Sequence, residues 1–298
     1  MKFIEPQVEW WQQTTLAQHI ARVGRICYKA KGKQPEEGMT EEEAKTFIQK
    51  RDEERCRGFW ESGHRSMLRH GTVYFFMPNE RGLPNHIWAY LEASPYINYA
   101  TKNHKVWFST NTQFALEHED MMNVLSQYGV SEDEFIEKAL KYECEEAFSI
   151  IRMTMVVTTQ ISTSRELNRT SPNSIAEQST RYCNLEKKGG VQIARPHWHV
   201  EGSRWQRMVY GLVCRVCEWG YNRLLKSGLK PQDARGVLPL DTYTVVAYTY
   251  TLSDWSHILD LRYHGKTGTP HPNAKIIGEK IRNIIIERMR QYCDEFDI

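Results

Sequence analysis

Between Ser164 and Cys183 the chain reads SRELNRTSPNSIAEQSTRYC, gathering Arg165, Arg169 and Arg181, the carboxylates of Glu166 and Glu177, and the hydroxyls of Ser174 and Ser179. A guanidinium presents a planar fork of donors that matches a phosphate or a carbonyl edge, and a serine hydroxyl both donates and accepts. Pro172 removes a backbone donor and disfavours helix, so the centre of the stretch is expected to be a loop that exposes side chains and backbone donors together. That set suits the phosphate and polar base of a nucleotide. It is equally the composition of a surface loop whose arginines pair with Glu166 and Glu177. Two distant arginines bear on the choice. Arg235, in DARGVLPL, precedes an apolar run expected to anchor it near the core, and Arg262, in ILDLRYHG, ends an apolar helical pattern. Alone each reads as a structural ion-pair partner; with the loop they would form a convergent cationic pocket.

Other reactive side chains give weaker signals. His64 and His70 in ESGHRSMLRHGTVYFF precede a strand, and His64 can reach a ligand ring or phosphate or serve as an ordinary hydrogen-bonding residue. His197 and His199 lack a third ligand at recognisable spacing, and Cys214 and Cys217 lack a second pair, so no metal is expected. Cys183 beside Arg181 has no visible base partner and reads as a packed thiol; Ser179 has none either and is assigned to positioning.

These residues need elements to hold them. Residues 11 to 60 read as helical, with MTEEEAKTFIQKRDEERC as a solvated face, and GTVYFFMP from Gly71 as a strand stopped by Pro78. The section from there to about Asn111 is punctuated by Gly and Pro and reads as loops around short elements. SEDE from Ser131 is a capping box, and the apolar spacing through Ile151 predicts one long helix leading into the arginine-rich stretch. Residues 203 to 226 predict a buried helix, DTYTVVAYTYT a strand, SDWSHILDLRYH a helix with Ser253 as cap, and the segment from Asn273 a final amphipathic helix.

The 298 residues carry a formal charge of only +2, so any anion site must be built locally. With 40% hydrophobic and 26% charged residues the composition is globular, and the longest apolar runs fall short of the roughly 20 residues of a membrane span. MKFIEPQVEWWQQ lacks a signal-peptide core, and seven scattered cysteines fit a reducing compartment, so a cytoplasmic protein is expected.

With these residues in view the chain resembles the flavin-dependent thymidylate synthases (ThyX). Their signature R-H-R-x-x-S-x-N-E-x-S-x-R-Y, often preceded by R-E/Q-L-x, is matched at Arg165, Glu166, Leu167, Arg169, Ser174, Glu177, Ser179, Arg181 and Tyr182. GHRSMLRHGTVYFF is similar to the family's G-H-x-S-x-x-E-H-x-x-F-x-F, ARGVLPLDTYT to its A-R-x-x-L-P, and SHILDLR to its N/H-F-L-x-L-R, so the likeness runs from about residue 63 to 262. The resemblance implies an α+β ThyX-like fold, a mixed β-sheet packed with long helices. It implies one catalytic domain over residues 1–298, with a core from about 15 to 292 and a variable excursion from about 78 to 130. It further implies a homotetramer with sites shared between subunits, acting on small nucleotide and folate substrates rather than nucleic acid or membrane. FAD, dUMP, methylenetetrahydrofolate and NADPH would be its ligands.

By position, the resemblance places dUMP on Glu166, Arg169, Glu177, Gln178, Ser179, Thr180, Arg181, Arg235 and Arg262. FAD would lie on His64, Ser66, Arg169, Thr170, Ser171, Glu177, Thr251, Ser253 and His257. Arg262 would be the catalytic residue, holding the uracil in its ionised form. A hydride from the reduced flavin would complete the new methyl group, with no cysteine attacking the ring. The sequence departs from the pattern chiefly on the flavin side. Thr170 and Ser171 replace a histidine and an arginine, Ala176 an asparagine, Arg69 a glutamate, and Thr251 an asparagine. Two alternatives stay open: an enzyme of the same fold acting on another pyrimidine nucleotide or one-carbon donor, and a non-catalytic nucleotide-binding protein. A single-strand binder would need a basic stripe that the near-neutral charge argues against.

Overall fold

The computed structural model describes residues 1–32, 34–79, 83–169, 174–294 and 296–298. Along the chain the elements are β1 (Lys2–Ile4), β2 (Gln7–Trp10), α1 (Leu16–Cys27), α2 (Glu41–Glu61), β3 (Thr72–Met77), α3 (Asn85–Ala93), β4 (Asn98–Lys102), β5 (Lys105–Asn111), α4 (Thr112–Glu117), α5 (Glu119–Leu125) and β6 (Gly129–Val130). They continue with α6 (Glu132–Lys141), α7 (Glu145–Ser149), β7 (Arg152–Gln160), α8 (Ile161–Leu167), β8 (Ile175–Glu177), β9 (Gln192–Ala194), α9 (Arg204–Lys226), α10 (Pro231–Ala234), β10 (Tyr243–Thr251), α11 (Leu252–Leu259) and α12 (Pro272–Arg290). This is an α+β architecture. The described strands form an antiparallel sheet in the order β2-β7-β10-β8, a second in the order β4-β5-β3-β6, and a parallel pair, β1 with β9.

The first sheet positions the site. β7 and β10 pair along their whole length, from Gln160 opposite Tyr243 to Arg152 opposite Thr251. Val156, Ala176 and Ala247 pack under Val23 of α1 on one face, while Val157, Val246 and Tyr248 pack against Ile277 and Ile281 of α12 on the other. Burial on both faces explains why RMTMVVTTQ and YTVVAYTYT are near-continuous runs of apolar residues and threonine. The buried hydroxyls satisfy one another: Thr154 and Thr249 sit opposite in register with their Oγ1 atoms 2.7 Å apart. The same core takes in Tyr74, Phe76 and Trp107 of the second sheet.

Several sequence expectations give way here. The single helix from Ser131 is replaced by α6, α7 and β7. Ser131 does cap α6, accepting from the Glu134 amide at 3.1 Å, but Glu143 at φ 53° leaves helical geometry, and the β-branched run after Arg152 pairs in the sheet. The short elements of the excursion after Pro78 are α3 and the strands β4 and β5, which join β3 and β6 in the second sheet. Its β4–β5 hairpin turns on Asn103 and His104, both left-handed at φ 49° and 62°. The cap of α11 is Thr251, in a reciprocal box with Asp254, and Ser253 is exposed. His271 caps α12, while Asn273 accepts from the His197 amide at 2.8 Å. Helix α9 buries only Gly211, Cys214 and Tyr221, so it is largely a surface helix. Among the described residues no helix is long and apolar enough to cross a membrane.

Candidate active site

Arg262 stands on a π-helical turn, Asp260–His264, that continues α11. Gly278 of α12 lets that turn approach closely: a Cβ there would lie 3.1 Å from Tyr263 Cβ and 3.4 Å from the Arg262 carbonyl oxygen. The Arg262 fork reaches α8, where Nε and Nη2 both donate to the Glu166 carbonyl at 3.1 and 2.9 Å, and Nη1 lies 3.8 Å from the Glu166 carboxylate. Two donors on one oxygen fix the plane of the guanidinium while the side chain stays 18% exposed.

On the same side of the sheet, Glu177 ends β8 opposite Val246. Its Oε1 accepts from Ser164 and from Thr244, each at 2.9 Å, and its Oε2 from Asn168 at 3.4 Å. Tyr248 donates in turn to the Asn168 side chain at 2.8 Å. Sequence reasoning missed this supporting set. Thr244, Val246 and Tyr248 share one face of β10 by the two-residue period of a strand, a pattern that carries meaning only once the partner strand is known.

That period also separates Gln178 from Glu177. Gln178 is buried on the α1 side, accepting from the Tyr243 hydroxyl at 3.2 Å, beside a groove of about 800 Å3 lined by Arg22, Arg25, Lys29, Lys31, Lys187 and Lys188. The chain then turns. The Ser179 amide donates to the Cys27 carbonyl at 2.9 Å, and the Ser179 hydroxyl accepts from the Arg181 and Tyr182 amides at 3.1 and 3.4 Å. Thr180 accepts from Arg235 Nη1 at 2.7 Å, so Arg235 and the Ser179–Tyr182 turn form a second cationic group. Arg235 is exposed rather than anchored at the core, because the following Val237 and Leu240 are themselves 38% and 58% exposed. Arg181 is exposed beside the ring of Tyr182. Cys183 is buried, and burial raises its thiol above the ordinary range, which fits a packed residue rather than a nucleophile.

Arg262 with Glu166, and Arg235 with Thr180 beside Arg181, form two distinct hydrogen-bonded groups. None of five cavities found on the described residues is lined by Arg181, Arg235 or Arg262. Of the residues expected at FAD, His64, Ser66, Arg169, Ser253 and His257 are exposed, and His64 Nδ1 is 3.1 Å from the Ser62 hydroxyl. Thr251 is 1% exposed with its hydroxyl donated to Asp254 at 2.8 Å, so within one chain that hydroxyl is engaged in the cap of α11. Thr170 and Ser171 lie outside the described residues. His70 is buried, its Nδ1 2.8 Å from Thr249 Oγ1, and Thr154 continues the chain to His19 Nε2 at 2.9 Å.

A family model described as "Thymidylate synthase complementing protein" matches residues 97–288, which include Glu166, Glu177, Ser179, Arg181, Arg235 and Arg262. No curated protein matches the chain. Two similar solved structures are of a UMP/dUMP methylase, PolB, from Streptomyces cacaoi. The one bound with 5-Br dUMP is 24% identical with a TM-score of 0.42, covering 55% of this chain and 80% of its own. The one bound with 5-Br UMP is 21% identical with a TM-score of 0.42, covering 64% of this chain and 86% of its own.

Proposed function

Because the chain belongs to the thymidylate synthase complementing protein family, we propose that it is a flavin-dependent methyltransferase that converts dUMP to dTMP with methylenetetrahydrofolate and NADPH. The observation that carries the reading is the family match itself, since its span contains every arginine assigned here to the nucleotide. Arg262 faces the uracil carbonyl edge, where a fixed guanidinium stabilises the negative charge of the ionised ring. Its orientation is supported by the two hydrogen bonds to the Glu166 carbonyl. Arg169, Arg181 and Arg235 neutralise the phosphate, with the Ser179 and Thr180 hydroxyls completing its shell. Glu177, held by three side chains, accepts from the nucleotide's donors. Gln178 faces the other side of the sheet and takes no part in a site built by one subunit.

The family's cofactor FAD, when bound, supplies the hydride that reduces the transferred carbon to a methyl group. The exposed donors of His64, Ser66, Arg169, Ser253 and His257 fit a pyrophosphate and a ring edge, while the Thr251 hydroxyl is engaged in the cap of α11. These residues bind and orient the group.

Self-association supplies what one chain lacks. Trp205, Met208, Leu212, Val216 and Trp219 are each at least 55% exposed and recur at three- and four-residue spacing, giving α9 a continuous apolar face. A homotetramer that covers this face with further copies of the chain would let a partner complete the arginine cluster. The test is an absorption spectrum of the purified protein before and after adding FAD and dUMP. A flavin band that dUMP perturbs supports the reading; colourless protein that takes up no FAD yet binds dUMP overturns it in favour of a diverged nucleotide-binding relative.

A further inference from the structure

The groove of about 800 Å3 beside Gln178, on the α1 side of the first sheet, is lined by six cationic side chains and by no carboxylate among the described residues. Its size is that of a small-molecule site, and a concave wall of one sign focuses its field and draws anions from solution. Because the whole chain carries a formal charge of only +2, the residues outside the groove are net acidic. The cations are therefore gathered in one place rather than spread as the stripe of a strand binder.

The end of α1 brings these charges together. The helix stops at Cys27, and Lys29 adopts φ 45°, the left-handed conformation that favours glycine or asparagine just past a helix. That turn holds the Lys29 ammonium 4.9 Å from the centre of the Tyr243 ring. Lys188 donates to the carbonyls of Tyr28 and Lys29, the latter at 3.3 Å. Arg22 lies 3.6 Å over the Trp11 ring, whose Nε1 donates to Glu9 at 3.1 Å. Arg25 is neutralised by Asp52 at 2.8 Å; among the described residues the other five cations of the groove make no ion pair.

Gln178 adds a directional group to this wall. It is 5% exposed, its Oε1 accepts from the Tyr243 hydroxyl at 3.2 Å, and its backbone amide donates to the Val245 carbonyl at 2.9 Å. Its Nε2 makes no hydrogen bond among the described residues yet is not fully enclosed, so it opens on the groove that Gln178 lines. A nearly buried amide donor without an acceptor costs free energy, and an acceptor on a ligand removes that cost.

We propose that this groove binds a nucleoside triphosphate, its phosphate chain among Arg22, Lys29, Lys31, Lys187 and Lys188 and an acceptor of its base on Gln178 Nε2. A lone phosphate leaves most of the five unpaired cations without a counter-charge, whereas a triphosphate offers oxygens to the lysine ammoniums and to the fork of Arg22 together. Gln178 lies between Glu177 and the Ser179–Tyr182 turn, so the ligand meets the segment assigned to dUMP from its opposite face. The assignment does not rest on the methyltransferase reading: the groove shares with it only Gln178, which that reading leaves aside.

Isothermal titration calorimetry of the full-length protein, with dUMP present to fill the nucleotide site, tests this with UTP, ATP, tripolyphosphate and the tricarboxylate citrate. One nucleoside triphosphate per chain is expected, bound more tightly than tripolyphosphate. UTP alone would assign a pyrimidine and ATP alone a purine; either supports the proposal. Lys31→Glu combined with Lys187→Glu changes two exposed residues, and should leave the fold intact while weakening every phosphate probe about tenfold or more. Gln178→Leu should weaken the nucleotides about three- to tenfold and leave tripolyphosphate unchanged. Arg181→Ala should alter none of these affinities. The proposal fails if no triphosphate saturates, if citrate or a thymidine oligonucleotide binds as tightly as the triphosphates, or if the double glutamate variant binds like the natural protein. Loss of binding in Arg181→Ala would also overturn it, by moving the ligand to the Ser179–Tyr182 turn.

Discussion

At the scale of single residues, the account rests on how Arg262 is held. Its type and position were readable from SHILDLR, but its anchor was not: the partner is the backbone carbonyl of Glu166, an atom every residue carries. Removing the fork with Arg262→Ala should weaken dUMP binding about ten- to a hundredfold, the usual cost of a lost charged hydrogen bond. Arg262→Lys should recover little of it, because an ammonium keeps the charge and loses the planar geometry. Calorimetric titration with dUMP checks both; a lysine variant that binds like the natural protein would show that charge alone suffices. Glu177 and Gln178 show where reading residue types runs out. They are neighbours in the motif, yet strand alternation sends one towards Ser164 and the other towards Tyr243.

At the scale of elements, strands flanked by turn signals were legible and those without them were not. β3, stopped by Pro78, and β10 emerged from their β-branched and aromatic runs, whereas β7 was hidden behind a helical spacing that continues from α6 through Phe148 and Ile151. The β4–β5 hairpin turns on Asn103 and His104 without the glycine that marks such turns. Two predictions belong here. Gly278→Val would drive a side chain into the turn that carries Arg262, costing about 1–3 kcal/mol by overpacking. It should lower both the melting temperature and dUMP affinity, and a stable variant with unchanged affinity would break the link between α12 and Arg262. The second concerns the buried chain His19–Thr154–Thr249–His70, which ties α1, β7, β10 and the turn before β3 together. Burial, aided by Arg22 at His19 and by His19, Arg152 and Arg69 at His70, lowers the two imidazoles from 6.5 to about 4 and about 3. With both folded values depressed, the unfolded chain takes up protons first. Stability is therefore full above pH 6.5 and falls below it, by up to about 1.4 kcal/mol per pH unit for each histidine. Urea denaturation at pH 7 and pH 5 measures the loss, and His70→Asn should flatten it; equal midpoints at the two pH values would contradict the assignment of neutral buried histidines.

At the scale of the whole molecule, the near-zero net charge directs attention to local cation clusters. The apolar residues exposed along α9 meet no core of their own, and such a face calls for another surface to cover it. The sequence pattern was legible there but was read as burial inside the chain. Leu212→Glu together with Trp219→Glu should convert the assembly to smaller species in sedimentation equilibrium while leaving the monomer folded, and should reduce activity in proportion. An unchanged assembly mass would remove α9 from the interface. The most direct test of the central claim is product analysis of the purified protein incubated with dUMP, methylenetetrahydrofolate, NADPH and FAD. The account predicts dTMP, dependent on every one of the four and lost in Arg262→Ala. Protein that binds dUMP and FAD under these conditions yet returns the nucleotide unmethylated would contradict it.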